Sequence, residues 1–144
     1  MLKINKSNLE KLFNAISEKQ ILYIPCNVNG KTNYAVYGEG AQVDLETLKT
    51  VKSAKEVFFP QCEDIVSFKR NGKAVEVIDV RKESEDFTVF GVRACDLKSF
   101  EILDTVFLSE PVDTYYQTKR EHGTVVTLAC NYPEESCFCH TFGI

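Results

Sequence analysis

The sequence has no excess of positive charge. Its 17 lysines and arginines are outnumbered by 21 aspartates and glutamates, giving a formal net charge of −4. No global basic field therefore draws the chain to nucleic acid. A long apolar run is also missing. The N-terminal stretch MLKINKSNLEKLF is broken by charge every few residues, which does not suit a signal peptide or a membrane span, so the chain reads as cytoplasmic. No Gly-x-Gly-x-x-Gly occurs, so the chain carries no dinucleotide fingerprint of its own. There is no CxxC, hence no paired zinc knuckles, and no bacterial ferredoxin cysteine run. Repeats, low-complexity tracts and linkers are absent too. With 144 residues, the chain reads as a single domain over 1–144, large enough for a real apolar core.

What the sequence does have is cysteine. Six are present, a high count for a cytoplasmic domain, where thiols stay reduced and clusters of them point to metal or catalysis rather than disulfides. Cys26 and Cys62 lie far up the chain and read as small packing residues. Cys95, Cys130, Cys137 and Cys139 fall in the last third.

Periodicity places the elements. Ser7 and Glu10 form a capping-box pattern, and Leu9, Leu12, Phe13 and Ile16 follow at helical spacing, so a helix is expected over about 8–18. ILYIPCNVNGKTNYAVYG reads as a hairpin turning at Asn29-Gly30, with Pro25 suggesting an edge strand. VDLETLKTV reads as a short helix capped by Asp44, and KEVFFP as a short buried strand. IVSFKRNGKAVEVIDV reads as a second hairpin, turning at Asn71-Gly72 with alternating apolar positions on both arms.

The last third changes character. FTVFGVR (87–93) is a nearly continuous apolar run, as for a strand buried on both faces. Asp96 is placed to cap a helix carrying Leu97, Phe100, Leu103 and Phe107 to the core. Asp113 is placed to cap a second helix, with Gly123 at its C-terminal end. TVVTLAC (124–130) is another apolar strand. Strand, helices, strand is a parallel βαβ crossover. The expected class is therefore mixed α/β, with β-hairpins in the N-terminal half and the crossover in the C-terminal third.

That crossover brings the late cysteines together. Cys95 follows the first of its strands and Cys130 ends the second, so both belong on the rim formed by the carboxyl ends of the strands. Neighbouring strands lie about 4.8 Å apart, and a short loop returns Cys137 and Cys139 to the same place. Four soft thiolates select zinc or an iron–sulfur cluster, and the spacing leaves the choice open. Phe138, between the last two, is placed to shield such a site. A third reading makes Cys95 a nucleophile whose pKa is lowered by a helix N-terminus. However, a phosphatase-type loop needs arginine six residues on, and Glu101 stands there.

FGVRACDLKSFEILDTVF and DTYYQTKREHGTVVTLACNYPEESCFCHTFG, and more loosely FFPQCE, carry a resemblance. The chain resembles the N-terminal domain of 4Fe–4S dicluster iron–sulfur subunits, namely the beta subunits of soluble sulfhydrogenases and the corresponding iron–sulfur subunits of anaerobic sulfite reductases. The shared elements fall on Gly91 to Asp96, Asp113 to Arg120, Cys130, and Cys137 to Gly143. The resemblance is specific from about residue 88 onward and weak before residue 55.

The resemblance implies an electron-transfer module of a multi-subunit oxidoreductase. Its partners would be a flavin subunit using a nicotinamide cofactor and a catalytic subunit. It implies a 4Fe–4S cluster on Cys95, Cys130, Cys137 and Cys139, and a ferredoxin-like C-terminal domain beyond residue 144. No catalysis is expected from this domain alone. A structural zinc or subunit-scaffold domain is the alternative.

Around the sulfurs, Arg93 is expected to face the cofactor and raise its potential, against a surface ion pair with Asp96 or Glu101. Asp96 is expected beside the cofactor, chiefly as the helix cap. Tyr115 and Tyr116 read as helix-packing aromatics.

Overall fold

The computed structural model describes residues 3–144. In chain order the elements are α1 (Leu9–Ser17), β1 (Ile21–Val28), β2 (Lys31–Val36), α2 (Lys55–Phe58), β3 (Val66–Asn71), β4 (Ala74–Asp79), β5 (Phe87–Val92), α3 (Ala94–Phe107), α4 (Thr114–His122) and β6 (Gly123–Thr127). Four strands form a mixed sheet in the order β2-β1-β5-β6, and β3 with β4 forms a separate two-stranded sheet. The pairs β1·β5 and β5·β6 are parallel, and β1·β2 is antiparallel. The expected α/β class and crossover are therefore present, with helices on both faces of the sheet.

The two faces are filled by alternation along the strands. Leu22, Ile24, Cys26 and Phe90 meet Phe13 of α1 on one side. Phe87, Val89 and Val92 meet Phe58, Phe100 and Tyr116 from the three later helices on the other. Phe90 and Val92 are two residues apart, so a regular strand would put them on one face. A bulge between Phe90 and Val92 returns Val92 to the crossover helices. Gly91 supplies the bulge with φ +87, and Pro25 packs on it so closely that a Cβ there would meet the ring at 3.2 Å. The residues leaving β5 are thereby aimed at the rim where α3 begins.

The crossover helices are braced by a polar strut. Asp104 of α3 accepts from Tyr116 Oη at 2.7 Å, and from Arg120 Nε and Nη2 at 2.8 and 2.9 Å. The Arg120 guanidinium also covers the rings of Phe58 and Phe100, adding cation–π attraction to a two-pronged ion pair. Asp113 caps α4 as expected, accepting from the N–H groups of Tyr115 and Tyr116. The Asp113, Tyr116 and Arg120 pattern is thus explained by packing.

Several expectations are corrected. Residues Lys6–Asn8 form a 3₁₀ turn ahead of α1, and Asn5 rather than Ser7 caps it, so the capping box is not formed. Pro25 lies in an interior strand. The β1·β5 ladder stops at Tyr23↔Val89, and past it that edge of β1 bonds Gln42 and Asp44 instead. The missing N–H of Pro25 falls where the ladder to β5 has already ended. The VDLETLKTV segment is a loop: Asp44 makes N-cap bonds to the N–H groups of Glu46 and Thr47 as expected, but Leu45 O and Thr47 O accept from Arg93 rather than from the N–H groups of a following helical turn. KEVFFP contains the helical turn α2, which drives Phe58 between Phe87 and Phe100.

Downstream, Leu97 is 41% exposed and outside the core. The strand expected over 124–130 ends at Thr127. Gly123 occupies the C-cap position of α4 but with extended geometry. Finally, the β3–β4 hairpin turns at Asn71-Gly72 as expected, yet Phe68 and its partner Val77 are 66% and 63% exposed. Its apolar alternation is not spent on this core.

Candidate functional site: four thiols on the sheet rim

β5 delivers the first thiol. Its last residues run through Arg93 into α3, whose second residue is Cys95. No side chain caps the α3 N-terminus, so its first-turn N–H groups stay directed toward the rim. The segment after β6 continues beside β5, with Leu128 N–H donating to Val92 O at 2.8 Å. This carries Cys130 to the side of Arg93, whose Nη1 lies 3.8 Å from Cys130 Sγ and 3.5 Å from Ala129 O. Cys95 and Cys130 thus stand at the carboxyl ends of adjacent parallel strands.

The chain then turns back. Cys137 closes a turn in which its N–H donates to Glu134 O and its sulfur accepts from Glu134 N–H at 3.3 Å. Cys139 opens the 3₁₀ turn Cys139–Phe142, which rests against α3. Phe138 and Phe142 share a cleft with Cys95, Ser99 and Ile102. Cys139 is near enough that its charge acts on Cys95. All six cysteines are free. Cys95 and Cys130 are exposed, while Cys137 and Cys139 are half-buried.

The donor chemistry suits a soft-metal or iron–sulfur site: thiols at two adjacent strand ends and two more in the returning tail, beside uncapped helix N–H groups and an arginine. The side chains as they stand form no finished coordination shell. Among the described residues, no three His, Cys, Asp or Glu side chains are gathered as a metal-binding group.

Arg93 pairs with neither Asp96 nor Glu101. Its Nη2 donates to Leu45 O at 2.8 Å and to Thr47 O at 3.1 Å. It therefore ties three things together: the rim, the loop after β2, and the Cys130 segment. Asp96 lies within the first turn of α3 rather than capping it, and accepts from Ser53 Oγ at 2.7 Å and Lys55 Nζ at 2.9 Å. Partial burial of the Cys95 sulfur, then the charges of Asp96 and Cys139, push its thiol up despite the N–H groups of Asp96 and Cys95. This direction is opposite to the activated nucleophile considered from the sequence.

The other expected residues divide. Cys26 is buried, as expected of a packing residue, but Cys62 is exposed and lines a cavity beside Arg81 and Tyr115. Phe138 is 57% exposed and stacks on Phe142, so it covers the tail turn more than the sulfurs. Glu63 pairs with Lys119.

Two residues near the rim were not legible beforehand. Tyr34 donates from its Oη to Gly91 O at 3.1 Å and shares a cleft of about 300 Å³ with Lys49, Arg93 and Cys95. Lys49 projects from the loop after β2 and pairs with Glu134 at 2.9 Å and with Ser136. Nothing about a loop lysine marks it in a sequence. Only the folded path of the tail does.

No family model matches the chain, and no solved structure matches it. Among curated proteins, the chain is similar to sulfhydrogenase 2 subunit beta of Pyrococcus furiosus, at 28% identity over 142 residues. The matched region covers 99% of this chain and 41% of that protein. The chain thus spans about two fifths of the length of the relative it matches. Among the described residues, no helix is long and apolar enough to cross a membrane.

Proposed function

We propose that the chain is an iron–sulfur electron-transfer module of a multi-subunit oxidoreductase of the hydrogenase type, acting in the cytoplasm. The observation that carries this reading is the placement of Cys95 and Cys130 on adjacent strand ends, with the tail folded back so that Phe138 and Phe142, at either end of the Cys139 turn, line a cleft with Cys95. Similarity of 99% of the chain to about two fifths of a sulfhydrogenase beta subunit supports it.

Cys95, Cys130, Cys137 and Cys139 would hold one 4Fe–4S cluster, drawn together by a short movement of the exposed 130–139 segment. When bound, such a cluster supplies reversible one-electron transfer. The protein's own contribution is positional and electrostatic. Arg93 holds Cys130 against the rim and sets a fixed cation beside the sulfurs. The uncapped first turn of α3 adds N–H dipoles beside Cys95. Both stabilise negative charge and so favour the reduced state. The partners of the reading are a flavin subunit using NAD(P)H, a catalytic subunit, and a ferredoxin-like domain continuing the chain.

Anaerobic reconstitution tests this directly. The protein should take up about four irons and four sulfides per chain, and give a low-temperature EPR signal on reduction. One bound zinc with no sulfide would reject the cluster.

A further inference from the structure

The loop between β2 and α2 has a construction that its exposure alone would not suggest. Asp44 anchors it, accepting from Glu46 N–H, from Thr47 N–H and Oγ1, and from Thr32 Oγ1 on β2. Arg93 fastens it to the rim through Leu45 O and Thr47 O. The backbone of Thr32 accepts from Val51 N–H at 3.0 Å, and Asn33 Oδ1 from Lys52 N–H at 2.9 Å. Lys49 stands in the middle of this braced span. Its ammonium reaches Glu134 at 2.9 Å and Ser136 across 87 positions of sequence. The tail turn it grips is the one closed by the Cys137 N–H on Glu134 O.

We propose that Lys49 is a positioning residue that clamps the 134–137 turn to the rim, holding Cys137 toward Cys95 and adding a cation beside the thiolates. The clamp rests on the cluster reading for its purpose but not for its existence, since the contacts it uses belong to the chain alone. A braced support and an exposed load fit the arrangement: Lys49 comes from a loop pinned by two charged residues, whereas residues 131–136 are exposed. A single exposed ion pair of this kind biases a two-position segment by a factor of about 1.5 to 5.

The test uses the full chain in two forms. In the metal-free, reduced protein, iodoacetamide labelling of Cys137 is followed over a pH series and compared at full ionisation, so that the rate reports access rather than thiolate fraction, with exposed Cys62 as the internal reference. Lys49→Met should speed Cys137 labelling by about 1.5- to 5-fold, and Lys49→Arg should restore the wild-type rate. In reconstituted protein, Lys49→Met should release iron to a chelator faster by a similar factor and have a lower midpoint potential. Lys49→Arg should recover both, which a merely structural lesion would not allow. Equal Cys137 labelling in wild type and Lys49→Met overturns the clamp. If wild type binds no cluster while Lys49→Met still speeds labelling, the clamp stands and the cluster reading fails. If wild type loads fully and Lys49→Met alters neither labelling nor potential, the reverse holds.

Discussion

Gly123 joins α4 to β6 with φ −92 and ψ 123, a conformation open to any residue, so its requirement is one of space alone. A Cβ there would lie 2.2 Å from Phe58 Cε1, 2.7 Å from Phe58 Cζ and 2.8 Å from Lys119 O. Carbon atoms pack at about 3.5 Å or more, so the ring would have to retreat by roughly 1.3 Å. It has little room. Phe58 is 1% exposed, sits 5.1 and 4.9 Å from the centroids of Phe87 and Phe100, and is covered by Arg120. Overpacking costs about 1–3 kcal/mol, and a site with this little slack belongs in the upper part of that range. Gly123→Ala is therefore expected to cost about 2–3 kcal/mol, a fall in Tm of roughly 7–10 °C for a chain of this size. Urea unfolding followed by circular dichroism should show a lower midpoint with the slope unchanged. In a Phe58→Leu background the clashing ring atoms are gone, and Gly123→Ala should cost at least about 1 kcal/mol less. A cost below about 0.5 kcal/mol, or an equal cost in both backgrounds, would refute the steric reasoning.

Burial raises the Asp104 carboxyl, but the Arg120 and Tyr116 bonds outweigh it and leave it below the usual carboxylate range. Asp104 therefore adds stability above about pH 4 that is lost as the pH falls through its lowered folded value. Asp104→Asn should cost about 1–2 kcal/mol at neutral pH, discounted for its partial exposure, and should flatten the acid limb of a Tm-against-pH profile. Arg93→Gln should lower the midpoint potential of the reconstituted protein, and an unchanged potential at full cluster content would discard Arg93 as a tuning cation. Phe68→Ser should change stability by less than about 0.5 kcal/mol in urea unfolding, because the hairpin face is unburied; a larger loss would mean that the face packs in solution.

The crossover was legible because its signals are long and redundant. FTVFGVR and TVV are continuous apolar runs, and Asp113 and Gly123 mark the ends of α4. The 44–58 region was misread because its signals are short. Asp44 in VDLETLKTV is a genuine cap signal, but the carbonyls that would continue the helix, Leu45 O and Thr47 O, go to distant Arg93, and KEVFFP is too short for periodicity to separate strand from helix. Pro25 misled because a proline excludes one hydrogen bond, not a whole interior position. The β3–β4 alternation was real, but alternation reports a buried face without saying what buries it. For the site, Cys95 and Cys130 followed from topology alone, and Arg93 from proximity in sequence. Its true partners, Leu45 O and Thr47 O, and the reach of Lys49 to Glu134, depend on how distant loops close and leave no local trace.

Four particular thiols sharing one cofactor is a property that counting iron can test. Iron and acid-labile sulfide should be counted after anaerobic reconstitution for six single Cys→Ser variants. Cys26→Ser and Cys62→Ser should keep wild-type content, about four of each per chain. Serine at 95, 130, 137 or 139 should bring sharp loss. Full content in any of those last four, or loss confined to Cys62→Ser, would contradict a cofactor shared by the four thiols.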